Sequence, residues 1–299
     1  MKKNKLKPFL KWVGGKGQLI TEIRNNFPDD MKENITKYAE PFVGGGALLF
    51  EVISEFDLEQ LYISDTNSSL INAYIVVKEN VNELIEHLSF IEREYLALDA
   101  ESRKIYYYSK RKEFNDRNKI VKNGNDVVEA AIFIFLNKTC FNGLYRVNSK
   151  GEFNVPSGTY KNPKICDESN LLNVSEALKK VTIRCADYQE SFDFIDENTL
   201  VYFDPPYRPL SKTSSFTSYS KELFDDDSQV QLANYILLAS GKRAKVLMSN
   251  SDPKNSNEDD EFFDEIYRDF RIKRLKAKRT INCKGNSRGE ISELLISNF

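Results

Sequence analysis

Residues 37–53 read KYAEPFVGGGALLFEVI. A short apolar run leads into three glycines, and a second apolar run follows at helical spacing. The first run suits a strand and the second a helix. Gly44, Gly45 and Gly46 permit a tight turn and let backbone approach a ligand closely. The first N–H groups of a helix opening at Ala47 lack intrahelical partners and favour an electronegative group. The pattern is not GxGxxG, and no GKS or GKT follows, so neither a dinucleotide fingerprint nor a P-loop is indicated. Taken alone, the glycines also fit a purely structural turn.

Outward from this unit the chain keeps alternating. EQLYISDTN (59–67) reads as a strand ending at Asp65, and NSSLINAYIVVKEN (67–80) as a helix capped by Asn67 or Ser68. Nucleotide-binding α/β folds place an acid at that second strand end to accept hydrogen bonds from ribose hydroxyls. A simple helix cap is the alternative for Asp65. Three helical patterns follow at Val81–Leu98, Ser102–Asn115 and Asp126–Lys138. Alternation resumes with KKVTIRCADY (179–188), where Asp187 follows a strand, and with TLVYFDPPY (199–207). SQVQLANYILLAS (228–240) reads as a helix, AKVLMSN (244–250) as a strand and ISELLISN (291–298) as the last strand. Strands alternating with helices predict an α/β sheet with helices on both faces. The expected division is a catalytic domain of residues 1–70 and 171–299, with 71–170 as an inserted module. The carboxyl ends of parallel strands converge on one crevice, so Asp65, Asp187 and Asp204 are expected to line one cleft.

Whole-chain properties narrow the classes. The 299 residues are 40% apolar and 29% charged, with net charge −2. No apolar run reaches the length of a membrane span. The basic N-terminus MKKNKLKPFLKW lacks an apolar signal core, so a cytoplasmic protein is expected. Cys140, Cys166, Cys185 and Cys283 show no CxxC spacing and His87 is the single histidine, so free thiols and no metal site are expected. RDFRIKRLKAKR (268–279) holds seven basic residues and one acid, a solvated face or a phosphate track.

At the end of TLVYF stand Asp204, Pro205, Pro206 and Tyr207. Neither proline has an N–H for a ladder, so the strand stops there. The combination suits methylation of an exocyclic amine. That nitrogen is a poor nucleophile because its lone pair is delocalised into the aromatic ring. The Asp204 carboxylate and the Pro205 carbonyl can accept its two N–H bonds and draw it toward tetrahedral geometry. The prolines fix φ near −65°, so the acceptors are preorganised. Tyr207 can stack on the flat base.

With FLKWVGGKGQLI (9–20), EPFVGGGALLF (40–50), LYISDTN (61–67), FNGLYRVNSKGEFNVPSGTYKNP (141–163), DPPY and ELLISN (293–298), the chain resembles the Dam-type DNA adenine-N6 methyltransferases of the alpha, D12 class. The resemblance spans essentially the whole chain, and the FNGLYR segment is its most specific part. It implies a Rossmann-like, S-adenosylmethionine-dependent methyltransferase fold with a mixed seven-stranded sheet and an inserted helical and β-hairpin DNA-recognition domain. It implies that Trp12, Lys16, Phe42, Gly44, Gly45, Gly46, Asp65, Asp187 and Asp204 hold S-adenosylmethionine. Asp204 to Tyr207 would take the target base. Lys11, Phe141, Asn142, Leu144, Arg146, Pro156 and Tyr160 would contact duplex DNA at GATC. A cognate restriction endonuclease is an optional partner, and a monomer or weak dimer is expected.

The recognition segment alternates and turns at NSKG, a β-hairpin signature. A two-stranded ribbon fits the major groove. Arg146 can fork onto guanine, Leu144 can touch a thymine methyl, Asn142 can bond a base edge or phosphate, and Phe141 can wedge into the gap left by a flipped base. Relatives often carry tyrosine at the Phe141 position; phenylalanine keeps the stacking face and loses the hydroxyl. Another recognition sequence, a cytosine-N4 or RNA target, and a non-catalytic DNA-binding protein are the competing readings.

Overall fold

A computed structural model describes residues 6–12, 19–117, 124–208, 224–278 and 290–299. Its centre is one mixed sheet of seven strands in the order β3-β2-β1-β4-β5-β7-β6. The strands are β1 (Lys37–Glu40), β2 (Gln60–Asp65), β3 (Val181–Cys185), β4 (Thr199–Phe203), β5 (Lys245–Ser251), β6 (Arg271–Lys278) and β7 (Glu290–Ser297). β3, β2, β1, β4 and β5 run parallel, and β7 is antiparallel to both β5 and β6.

The central strands are apolar because both faces are covered. Every residue of TLVYF in β4 is buried, as parallel sheets require. One core cluster joins Leu61, Ile63, Leu200 and Leu247 to the helical block, and another joins Val201, Phe203, Val246 and Ile296 to helix α8. The helices are α1 (Ile20–Arg24), α2 (Ala47–Glu55), α3 (Ser68–Glu79), α4 (Val81–Ala97), α5 (Ala100–Arg117), α6 (Val127–Thr139), α7 (Glu168–Leu178), α8 (Asp226–Gly241) and α9 (Phe262–Ile266). α3 starts where the Asn67 side chain accepts the Leu70 N–H at 3.1 Å, so the cap is Asn67 of the two candidates. α6 is apolar nearly all round and is buried between α3, α4 and α5. Tyr107 of the Tyr106–Tyr108 run packs inward against Phe135, and His87 lies half exposed beside Glu83.

Two sequence expectations change in detail. The basic run 268–279 contributes the edge strand β6, paired with β7 from Arg271 to Lys278. Its alternation is masked by charges on most outward positions, which also protect a sheet edge from other chains. Segment 141–158 folds back on itself, but not as a regular ribbon. It is held by isolated bridges at Cys140–Ser157 and Val147–Phe153 and by a turn closed from Gly151 N–H to the Asn148 carbonyl. Asn142 adopts φ +54° before Gly143 at +63°, which interrupts any ladder there.

Candidate active site

The sheet sets the site. Four neighbouring parallel strands, β3, β2, β1 and β4, end with Asp187 two residues past β3, Asp65 on β2, Glu40 on β1 and Asp204 just past β4. The sequence-predicted acids therefore share one edge.

The glycine turn is tied down from three directions. Asp65 accepts the Gly44 N–H at 3.2 Å through one carboxylate oxygen and the Asn67 N–H at 2.9 Å through the other. The buried Tyr74 hydroxyl on α3 donates to the Gly44 carbonyl at 3.1 Å. Trp12 lies directly over the turn: a Cβ on Gly45 would stand 2.7 Å from the Trp12 Cβ, and one on Gly44 2.8 Å from its Cδ1. The indole stacks on Tyr145 from the recognition segment, with centroids 5.6 Å apart and planes 19° apart. Phe42 stacks on Tyr188 and meets Phe203 edge-on. Asp187 is exposed and caps the short turn after β3 by accepting the Gln189 N–H at 3.0 Å. Lys16 lies outside the described residues.

Burial shapes the acids. Glu40 is buried, accepts the Tyr38 hydroxyl at 2.8 Å, and has its carboxyl pushed up to about 8, chiefly by desolvation and then by the Asp204 charge. Burial also raises the Asp65 carboxyl, against the lowering effect of the amides it accepts.

The DPPY loop is held at Asp204, Pro206 and Tyr207. Asp204 accepts the Ser249 hydroxyl at 3.1 Å, and Ser249 in turn lies 2.7 Å from the Tyr202 hydroxyl. The Ser249 proton is spent on Asp204, so Tyr202 is the donor in the second bond. The Pro206 carbonyl accepts Gln229 Nε2 at 3.1 Å. Tyr207 donates to Glu293 Oε2 on β7 at 2.8 Å, while the residue as a whole stays 36% exposed. Burial, Asp204 and Glu293 all push that phenol above its ordinary range. Arg208 forks onto Asp226 at 2.6 and 2.8 Å, reaches Asp260 at 2.7 Å and stacks on Phe262. Ser249, Gln229, Glu293 and Arg208 escaped the sequence reading. Arg208, adjacent to DPPY, was the one with a local signal.

A second exposed surface adjoins this edge. Phe141 is 52% exposed, and Asn142, Arg146, Pro156, Tyr160 and Lys11 are exposed with it, while Leu144 is half-buried. Lys11 is locked by Asn137, which accepts its N–H at 2.8 Å and donates to its carbonyl at 2.7 Å. Its stem lies on Gly143 and its ammonium sits 4.0 Å over the Tyr160 ring. Arg146 Nε donates to Asn154 at 2.7 Å, which aims the guanidinium. Lys138 nearby is lowered to about 8 by burial and by the Lys11 charge. The β6 basic run is partly engaged within the protein: Arg274 pairs with Asp252 and Asp264.

Among the described residues no cluster of His, Cys, Asp or Glu could hold a metal ion, and no helix is long and apolar enough to cross a membrane. Cys140, Cys166 and Cys185 are free thiols; Cys283 lies outside the described residues.

Known proteins resemble the chain in sequence. The chain is 52% identical to the Type II methyltransferase M.MjaIII of Methanocaldococcus jannaschii, over 98% of this chain and 99% of that one. It is 39% identical to the Type II methyltransferase M1.LlaDCHI of Lactococcus lactis subsp. cremoris, over 100% and 98% of the two chains. It is 33% identical to the DNA adenine methylase of Escherichia coli K12, over 99% and 95%. Residues 12–281, from the tryptophan on the glycine turn to beyond β6, match a family signature, and the chain belongs to the D12 class N6 adenine-specific DNA methyltransferases.

Proposed function

We propose that this adenine-specific DNA methyltransferase moves the methyl group of S-adenosylmethionine to N6 of the adenine in duplex 5′-GATC-3′. The observation that carries the reading is the adjacency of two loops on neighbouring strands. The glycine turn follows β1, and the Asp204–Tyr207 loop follows β4, its direct partner.

The residues fit such a cofactor. The glycine turn carries the Trp12 side chain against its backbone, and it is flanked by a half-buried strand-end acid, Asp65, and by Phe42, so polar and apolar groups meet there. Bound there, S-adenosylmethionine supplies an electrophilic methyl on a sulfonium. Asp65 retains lone pairs for ribose hydroxyls beyond the two amides it accepts, Asp187 would contact the adenine ring, and Lys16 would pair with the carboxylate. At the other loop, Asp204 and the Pro205 carbonyl accept the two N–H bonds of the target amine, and Tyr207 stacks on the extruded base. Base extrusion costs a few kcal/mol of lost stacking and pairing; Phe141, exposed beside the cleft, fills the gap left behind.

Residues 71–170 form the recognition unit and 1–70 with 171–299 the catalytic one, α3 bridging the two. Arg146 reads guanine, Leu144 a thymine methyl, and Lys11, Asn142, Pro156 and Tyr160 complete the DNA surface. The GATC assignment rests on the FNGLYR…FNVPSGTY segment. The Type II names of two relatives suit a restriction endonuclease as partner; the reading further has the protein work in the cytoplasm as a monomer or weak dimer.

The test uses labelled S-adenosylmethionine with GATC and scrambled duplexes, followed by nucleoside analysis. N6-methyladenine confined to the GATC duplex is expected. Equal labelling of both duplexes would remove the specificity, and no transfer from this donor would remove the cofactor.

A further inference from the structure

Gln229 and Asn250 are both completely buried primary amides, on α8 and β5. Asn250 Nδ2 donates to Gln229 Oε1 at 3.2 Å, and Gln229 Nε2 donates to the Pro206 carbonyl at 3.1 Å. The other end of Asn250 is fixed as well, its Oδ1 accepting the Ser251 N–H at 2.8 Å. Gln229 itself lies in the first turn of α8, its N–H bonded to the Asp225 carbonyl at 3.0 Å.

We infer that Gln229 is a positioning residue for methyl transfer: backed by Asn250, it fixes the Pro206 carbonyl and so the peptide plane that carries Tyr207. This rests on the reading that Asp204–Tyr207 holds the target base.

The argument is one of remaining freedom. Proline fixes φ at residues 205 and 206 but leaves ψ open. A rotation about ψ of Pro206 would swing Tyr207 and turn its ring away from any base stacked on it. The bond from Gln229 removes that rotation. Tyr207 is then held at its far end by Glu293, so the residue is pinned at both ends. Packing alone does not call for the amides. An apolar side chain of equal volume would fill the same space without the cost of burying polar groups, which is recovered only when they are hydrogen-bonded. The chain of bonds runs in one direction, from β5 through α8 to the loop, and among the described residues it meets the loop at the Pro206 carbonyl.

The experiment measures single-turnover methyl transfer by the full chain on GATC duplex, beside DNA affinity and the urea midpoint. Gln229→Leu keeps the volume and deletes the donor. It is expected to slow transfer by roughly 10- to 100-fold, the scale for displaced reacting groups, with DNA affinity near that of the parent and a lowered urea midpoint from the Asn250 amide it leaves without an acceptor. Gln229→Glu adds a readout that a structural role would not move. Ionised, the carboxyl has no proton for the Pro206 carbonyl. Protonated, it donates there while still accepting from Asn250, and burial raises its pKa. The ratio of its rate to that of the parent protein should therefore climb as pH falls from about 8.5 to about 6. Parent-like transfer in Gln229→Leu would overturn the inference, as would a Gln229→Glu rate ratio flat with pH. If Gln229→Leu fails to fold, the pH ratio of Gln229→Glu decides alone. Transfer that survives Asp204→Ala would reject the base-site reading itself. Loss in Asp204→Ala with full transfer in Gln229→Leu would reject only the positioning role.

Discussion

Gly46→Ala probes the glycine turn through a contact that can be relieved separately. Gly46 caps α2 with φ +69°, a conformation that costs an L residue roughly 1–2 kcal/mol. An added Cβ would also stand 2.4 Å from the Tyr74 hydroxyl oxygen, 3.2 Å from Phe50 Cε2 and 3.5 Å from Tyr74 Cζ. The first contact is impossible, so Tyr74 must withdraw. Its ring is buried and packed edge-on against Phe9 at 5.0 Å, so withdrawal breaks its bond to the Gly44 carbonyl. An orphaned buried polar group costs about 1–3 kcal/mol. The sum predicts a loss of about 2–5 kcal/mol for Gly46→Ala, large against a typical total of 5–15 kcal/mol. Tyr74→Phe removes the oxygen that clashes and leaves the ring carbon at 3.5 Å, an ordinary contact. In that background Gly46→Ala should cost the backbone strain, about 1–2 kcal/mol, plus the small shift that Phe50 must make in either background. Urea unfolding of the four proteins in this cycle gives a coupling energy, expected to be at least about 1 kcal/mol in favour of the double variant. Equal costs of Gly46→Ala in both backgrounds would refute the steric account of the turn.

Glu40→Gln should change the pH dependence of stability. The native carboxyl titrates near 8 instead of 4.5, so the native state holds its proton where the unfolded chain has lost it. Stability from this group is therefore full below about pH 4.5 and falls as pH rises toward 8; denaturation at a series of pH values should show a shallower fall in the variant and a gain of a few kcal/mol at pH 8. Arg274→Leu strips Asp252, only 1% exposed, of its ion pair and should cost about 3 kcal/mol, partly restored by adding Asp252→Asn; unfolding midpoints check it. Arg146→Ala should lose about 1–3 kcal/mol of discrimination at one base pair more than it loses affinity for random DNA, measured by competition with single-substitution duplexes.

The parts of the site that were legible in the sequence are those whose cause is local. Three glycines, an acid at a strand end and two prolines each constrain their own backbone, so the turn after β1, Asp65 and the stop after β4 follow from neighbours in the chain. The turn at NSKG was legible for the same reason, whereas the ladder expected around it fails at Asn142 and Gly143, whose positive φ is not written in any alternation. β6 was hidden by its own charges: an edge strand faces water, and RIKRLKAK reads as a basic surface until β7 supplies its partner. What could not be read is whatever the sheet order decides. Glu293 reaches Tyr207, and Ser249 reaches Asp204, because β5 lies beside β4 and β7 beyond it. Nothing near residue 204 announces residues 249 or 293. The two classes divide the labour of the site as well. Locally encoded residues would touch the base and the methyl donor, whereas the residues recruited by topology hold those groups still. Substitutions among the second set should thus lower the rate of transfer more than the affinity for either substrate, since the binding surfaces stay in place while their alignment is lost.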